Sequence, residues 1–138
     1  SKEVMSHWSQ EAEVVHTSTF AGAPLVCATA LATLDLLKRH DLVKRAAEHG
    51  DAWRARLSER LAGTAVTKVR GRGLMLGLEI DRGPGGGALL QQKLLELGYM
   101  TTTGGGRRDV LVLTPPLVIA PELLAGFEDA LVRALAEL

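Results

Sequence analysis

The spacing of apolar residues predicts two long helices in the first half of the chain. From Pro24 to about Lys38, apolar side chains cover almost the whole circumference of a helix, which favours burial on most sides. Pro24 suits the first helical position, where a missing N–H costs nothing. A second helix is predicted over about 41–62, with Asp41 as its cap. Its apolar face comprises Leu42, Ala46, Trp53, Leu57 and Leu61.

After residue 64 the apolar period changes to the alternation of strands. Residues 65–69 and 74–80 are predicted strands, joined by a hairpin turn at 70–73. A glycine-rich loop leads to a helix over about 88–97, and strands follow at 99–103 and 109–113. Apolar side chains then mark the inner faces of the second strand (Leu74, Leu76, Leu78 and Ile80) and of a last helix from Pro121 (Leu124, Phe127, Leu131, Leu135 and Leu138).

This order of elements predicts the fold class. From about residue 41 the chain runs helix, two strands, helix, two strands, helix, which is typical of an α/β unit. We expect a small, mostly antiparallel sheet with helices on one face. The segment around Gly71 and Gly73 is followed by a strand, so it lacks the order of a phosphate-binding loop and is interpreted as a hairpin.

Composition narrows the classes of partner. Sixteen basic and sixteen acidic residues give a net charge of zero, which argues against nucleic acid and against an anionic membrane surface. No apolar run is long enough to predict a membrane span, and the cytoplasm is the expected compartment. Cys27 is predicted to be a small buried hydrophobe. His40 and His49 are expected on the surface, and no metal site is predicted.

A cluster of hydroxyl residues stands where the first helix begins. Thr17, Ser18 and Thr19 precede Gly22 and Pro24 in the stretch HTSTFAGAP. Hydroxyls and free N–H groups at a helix N-terminus can bind an anion, helped by the helix dipole. The same residues can also cap the helix or its preceding turn. Residue chemistry alone leaves both interpretations open.

Three blocks in sequence order resemble the class-III aminotransferases. HTSTFAGAPLVCATALATLDLL is similar to the family's H-G-S-T-F/Y-G-G-N-P-L segment and Ala-rich helix, with Ala23 in place of the usual Asn. VRGRGLMLGLEI resembles its V-R-G-x-G-L-M-x-G-I-E strand pair. VLVLTPPLVIAPELLAGFEDALVRAL resembles its last strand, Pro-Pro-Leu turn and final helix. Together the blocks span nearly the whole chain.

The resemblance implies a pyridoxal phosphate enzyme of the type-I fold that works as a homodimer. Residues 1–40 would be the end of the large cofactor-binding domain with its connecting helix, and residues 41–138 the small C-terminal domain. The family's Thr maps onto Thr19, which is expected to contact the cofactor phosphate of the other subunit, with Ser18 beside it. The expected reaction moves an amino group from an amine or amino acid to a keto acid.

The family's Schiff-base lysine lies shortly before this segment, so no catalytic residue is assigned within the chain. A C-terminal fragment, inactive by itself, is therefore expected. An aminomutase, epimerase or decarboxylase using the same cofactor stays open as an alternative. A free-standing α/β module with an anion site at residues 17–19 is the other, and the nearly all-apolar first helix argues against it.

Two features bear on the substrate. Val112 stands where many relatives carry an Arg that grips the substrate α-carboxylate, which argues against ornithine, acetylornithine or aminobutyrate as substrate. Arg107 and Arg108 follow a Gly-rich loop that we expect to be flexible. Some relatives use a mobile loop arginine for the keto-acid carboxylate, so Arg107 or Arg108 is a candidate for that role. The alternative is a pair of solvated charges.

Overall fold

The computed structural model describes Glu3, Ser6 and residues 18–138. The chain divides into two compact units, Ser1–His40 and Asp41–Leu138, and each is described by itself. Within the described residues, no helix has both the length and the apolar content needed to cross a membrane.

The first unit contains helix α1, Pro24–Arg39, and its surface differs from the prediction. Pro24 does occupy the first turn, but no residue of the helix is buried. Leu25 and Leu31 are 76% and 68% exposed. Cys27 is exposed as well, so the prediction of a buried thiol was wrong. The physical reason is shared: a helix that is apolar all round needs neighbours on every side, and the described residues do not supply them.

The second unit is built from three helices and four strands. In chain order these are α2 (Leu42–Arg60), β1 (Val66–Arg72), β2 (Met75–Ile80), α3 (Gly86–Glu96), β3 (Thr102–Gly104), β4 (Val110–Leu113) and α4 (Pro121–Ala136). The strands form one sheet in the order β1-β2-β4-β3, and every neighbouring pair is antiparallel. The predicted mixture of a small antiparallel sheet and helices is confirmed.

One face of the sheet carries the core. Leu78 of β2 and Leu111 of β4 pair directly and have no exposed surface. They belong to one apolar cluster with Leu57 of α2, Leu90 of α3 and Leu131 of α4, so the three helices cover the same face. The predicted inner residues of β2 and α4 all lie in this cluster or pack against it. Because side chains alternate along a strand, the opposite face presents the row Arg70, Gly77, Val112 and Thr102.

The structure corrects several local predictions. Asp41 stands at the N-cap of α2, but it has φ 46° and its side chain makes no capping hydrogen bond. Strand β1 continues to Arg72, which pairs with Met75, so the hairpin loop holds only Gly73 and Leu74. Strand β3 begins at Thr102 instead of residue 99. Helix α3 starts at Gly86, inside the predicted loop. A Cβ atom at Gly87 would lie 2.9 Å from the Arg108 carbonyl oxygen, so glycine allows the start of the helix to pack closely against that backbone.

Candidate functional site

The hydroxyl residues lie in a turn that leads into α1. The N–H of Ala21 donates to the Ser18 carbonyl at 3.1 Å, and the N–H of Ala23 donates to the Phe20 carbonyl at 3.1 Å. Backbone groups therefore close this turn. Ser18 and Thr19 are exposed, and their hydroxyls make no hydrogen bond among the described residues. Thr17 lies outside the described residues.

Neither hydroxyl caps the helix. The N-cap of α1 is Ala23, and no side chain supplies a capping hydrogen bond. The first helical bond runs from the N–H of Cys27 to the Ala23 carbonyl, so the N–H groups of Leu25 and Val26 have no partner within the helix. No acidic residue lies in the first turn. The first turn of α1 therefore offers donors and contains no repelling carboxylate.

The loop between β3 and β4 holds its two arginines on an anchored backbone. The N–H of Gly85 donates to the Arg107 carbonyl at 2.8 Å, and the N–H of Ala88 donates to the Arg108 carbonyl at 3.3 Å. Arg108 has φ 54°, the left-handed conformation that side chains other than Gly, Asn and Asp seldom adopt. The carbonyls of Arg107 and Arg108 thus accept hydrogen bonds from N–H groups at the start of α3. These bonds restrain the loop backbone, which was predicted to be flexible from its glycines.

The two guanidinium groups differ in their partners. Arg107 forms an ion pair with Asp109, with 2.8 Å between Nη2 and Oδ2 and 3.0 Å between Nε and the same oxygen. Within the described part of the chain, Arg108 has a single side-chain hydrogen bond, from Nε to the Thr103 hydroxyl at 3.3 Å. Asp109 already neutralises Arg107, whereas Arg108 keeps most of its donors free for an anion.

Val112 lies on the sheet face that the helices leave open. It pairs with Gly77 of β2 and Thr102 of β3. A Cβ atom at Gly104 would lie 3.1 Å from a methyl group of Val112, so small neighbours accommodate the valine. The position offers apolar contact only and no donor for a carboxylate.

The match to a family model decides the family. Residues 1–135 match the model of the class-III aminotransferases. The chain belongs to the class-III aminotransferases. This match covers the turn at residues 18–23, the loop of Arg107 and Arg108, and the strand of Val112, so all three lie within the shared region of the family.

Similar proteins carry aminotransferase names. Acetylornithine aminotransferase 1 of Bordetella pertussis is 40% identical over 124 residues, which cover 89% of this chain and 29% of that protein. The acetylornithine aminotransferase structure from Elizabethkingia anophelis shares 32% identity and a TM-score of 0.78, over 92% of this chain and 33% of that one. An ornithine aminotransferase structure from Toxoplasma gondii, with partial occupancy of PLP at its active site, shares 30% identity and a TM-score of 0.75, over 99% and 31%. The chain thus spans about 29% of the length of the Bordetella pertussis protein.

The donor set at the start of α1 fits the phosphate of pyridoxal phosphate, on which the class-III homologues depend. A phosphate needs several donors and a positive local potential. The hydroxyls of Ser18 and Thr19 are exposed and have no partner within the described residues, and the dipole of a 16-residue helix begins five residues after Thr19. Nothing acidic in the first turn opposes a dianion. Ser18 and Thr19 belong to the first unit, and Arg107 and Arg108 belong to the second.

Sequence reasoning missed Asp109 as the partner of Arg107, although an i, i+2 spacing across a tight loop was visible. It also missed a cavity beside Trp53, Tyr99 and Phe127, because these aromatics are far apart in sequence and no local motif links them. Throughout the described residues, no group of three or more His, Cys, Asp or Glu side chains is placed to hold a metal ion.

Proposed function

We propose that the chain is the carboxyl-terminal part of a pyridoxal phosphate enzyme that transfers an amino group from an amine or amino acid to a keto acid. The observation that supports this most strongly is the class-III aminotransferase match over residues 1–135. In this proposal the parent works as a cytoplasmic homodimer. Residues 1–40 end its large domain, residues 41–138 form its small domain, and the 138-residue chain alone is inactive.

Thr19 and Ser18 are assigned to the cofactor. The cofactor, when bound, supplies an electron sink for the carbon next to the transferred nitrogen. The Thr19 hydroxyl donates a hydrogen bond to the phosphate of the neighbouring subunit's cofactor, and the Ser18 hydroxyl donates a second one beside it. Their exposed and unpaired hydroxyls support this role, because donating to a phosphate breaks no existing hydrogen bond within the described residues.

Replacing Thr19 in the proposed full-length enzyme, called the longer protein below, tests this assignment. Thr19→Val keeps the branched shape and removes the donor. A hydrogen bond to a charged group contributes about 1.5–3 kcal/mol, so we expect the dissociation constant of the cofactor to rise roughly tenfold to a hundredfold. The measurement is cofactor retention, followed by visible absorbance during dialysis against increasing volumes of buffer.

Two further variants make the result specific. Thr19→Ser restores a hydroxyl and should recover most of the affinity. Thr33→Val is the matched control, because the Thr33 hydroxyl donates to the Thr29 carbonyl within α1 at 2.8 Å and has no assigned contact with the cofactor. Equal retention of the cofactor by Thr19→Val and the parent would refute the phosphate role.

Arg108 is the stronger of the two candidates for binding the keto-acid carboxylate. Arg108 is exposed, and among the described residues its guanidinium has only the Thr103 hydroxyl as a partner, whereas Arg107 is bound to Asp109. In the longer protein, Arg108→Ala should raise the KM for the keto acid and leave the KM for the amine donor unchanged. Arg107→Ala should have the smaller effect. If the KM for the keto acid were unchanged in both variants, the binding role would be refuted, and the two arginines would be interpreted as solvated surface charges.

The amine donor is the least constrained part of the proposal. The named relatives act on acetylornithine or ornithine, whereas Val112 provides no cation for an amino-acid carboxylate. A screen of amines and amino acids against several keto acids in the longer protein would identify the donor. It would also detect an aminomutase, epimerase or decarboxylase, since each leaves a different product. An anion-binding module would give no product at all.

A further inference from the structure

A second cavity, of about 550 Å³, lies in the second unit between the end of α4 and the start of β1. Val132 and Leu135 of α4 supply apolar wall, and Thr67, Asp81 and Arg82 supply polar groups from the strand side. This volume lies within the range of small-molecule sites, about 300–1,000 Å³. The lining shares no described residue with the turn before α1, with β4 or with the loop between β3 and β4, so the cavity is separate from the candidate sites above.

The backbone that carries the polar lining is held in place by its neighbours. The pairing of β1 with β2 shifts register at Thr67, as in a β-bulge, which re-aims a side chain. Just beyond, the N–H of Asp81 donates to the Ala65 carbonyl at 2.8 Å. A Cβ atom at Gly86 would lie 3.1 Å from Cβ of Arg82, so the base of the Arg82 side chain packs against the start of α3.

Two opposite charges line this cavity, and neither has an ion-pair partner. Among the described residues, Asp81 and Arg82 pair neither with each other nor with any other charged side chain. Both residues are exposed, so water solvates them in the empty cavity. A ligand that carries both a cation and an anion can pair with each of them at once, and binding it breaks no existing ion pair in this part of the chain.

The hydroxyl groups of the lining can only accept a hydrogen bond from a ligand. The Thr67 hydroxyl donates to the Glu79 carbonyl at 3.3 Å, and the Thr64 hydroxyl donates to the Leu61 carbonyl at 2.7 Å. Since a hydroxyl has one hydrogen, each oxygen is left as an acceptor. The wall from α4 belongs to the last turn of that helix, where the helix dipole is negative. These acceptors favour a cation with several N–H groups.

A guanidinium is the cation that fits this set best. Its five donors lie in one plane, and two of them can bind a carboxylate through parallel hydrogen bonds. The remaining donors stay free for a hydroxyl oxygen. An ammonium ion has three donors and binds a carboxylate as a point charge, so it uses the same acceptors less completely.

We propose that this cavity binds a small zwitterion in which a guanidinium and a carboxylate are joined by a short methylene chain. The guanidinium pairs with Asp81, the carboxylate pairs with Arg82, and the methylene groups lie against Val132 and Leu135. The inference is independent of the proposed amino transfer, since it concerns binding by the second unit alone and is tested without cofactor or turnover.

The test is a titration of the 138-residue chain followed by backbone amide signals in proton–nitrogen NMR spectra. The probe is 4-guanidinobutyrate, butylguanidine lacks its carboxylate, and 4-acetamidobutyrate lacks its cation. We expect a saturable shift of the Gly63 and Asp81 signals with the probe, and affinity roughly fivefold to tenfold lower for each of the other two compounds. Equal affinity for all three compounds, or no saturable shift with the probe, would overturn the proposal.

Variants separate this site from general attraction to surface charge. Asp81→Asn and Arg82→Gln keep the approximate size of each side chain and should each weaken the probe about fivefold to tenfold. Asp51→Asn on α2 and Arg72→Gln on β1 are the matched controls, because both residues are exposed and lie outside the lining, and both should leave binding intact. If the control variants weakened binding as much as Asp81→Asn and Arg82→Gln, the assignment to this cavity would be wrong.

Discussion

The most sharply defined energetic feature of the second unit is a buried carboxylate between two helices. The Glu128 side chain on α4 is 3% exposed, whereas the Arg56 and Arg60 side chains on α2 are 50% and 38% exposed. Arg56 donates to Glu128 through Nε at 3.0 Å and Nη2 at 2.7 Å, and Arg60 adds a contact of 3.3 Å. Arg60 also pairs with Asp129, and this hydrogen bond is the main cause of its raised pKa.

The difference in exposure predicts unequal costs for removing the two sides of this cluster. Changing both Arg56 and Arg60 to Met leaves an unpaired charge at Glu128, which should cost about 3–5 kcal/mol of unfolding free energy. Glu128→Gln keeps the side-chain volume and an acceptor oxygen, and it leaves the two arginines partly in water. That change should cost only about 1–2 kcal/mol. Replacing all three with apolar residues, Glu128→Leu together with the two Met changes, should return to within about 1 kcal/mol of the parent.

Urea unfolding followed by circular dichroism measures these differences, provided that the slope of free energy against urea is the same in every variant. From most to least stable, the predicted order is the unsubstituted chain, the triple variant, Glu128→Gln, and then the double Met variant. If the double Met variant were as stable as Glu128→Gln, the carboxylate would not be effectively buried, and the explanation from exposure would be refuted.

Two further predictions concern packing and pH. Gly50→Ala should destabilise the second unit by about 3 kcal/mol or more, although alanine usually stabilises a helix, because its Cβ would lie 2.1 Å from the Gly73 carbonyl carbon. Gly126→Ala is the control, since its nearest contact is 3.3 Å away at the Tyr99 hydroxyl, and equal melting temperatures for the two variants would contradict the clash. The hydrogen bond to Glu137 raises the pKa of Lys93 above its ordinary value of 10.5, so the stability it adds is present below pH 10.5 and is lost as pH rises through the folded pKa. The gap in urea midpoint between the parent and Lys93→Met should therefore close above that pH, and a gap that widens would show that the sign is wrong.

Local periodicity was sufficient to predict most elements of the second unit. The alternation of Leu74, Leu76, Leu78 and Ile80 predicted the buried face of β2, and the stripe of α4 predicted its packing. Proline at 24 and at 121 marked the first turns of α1 and α4. These features depend on neighbouring residues in sequence, so one sequence is enough to see them.

Features that depend on distant residues were not visible in the sequence. Glu128 is 72 residues from Arg56, and nothing local shows that an acidic residue on α4 is buried. Burial of Cys27 was predicted wrongly, because periodicity shows that a helix is apolar but not what covers it. The phosphate role proposed for Thr19 came from a family resemblance, since hydroxyls before a helix suit a cap as well as a ligand.

The most direct test of the proposed function is to follow the transferred nitrogen. The longer protein is supplied with pyridoxal phosphate, a nitrogen-15-labelled amine donor and a keto acid, and the products are analysed by mass spectrometry. We predict that the label appears in the amino acid formed from the keto acid, and that Thr19→Val slows its appearance. Amino transfer would be contradicted if no label reached the amino acid formed from the keto acid. The label would then be found in ammonia or in a racemised, rearranged or decarboxylated donor.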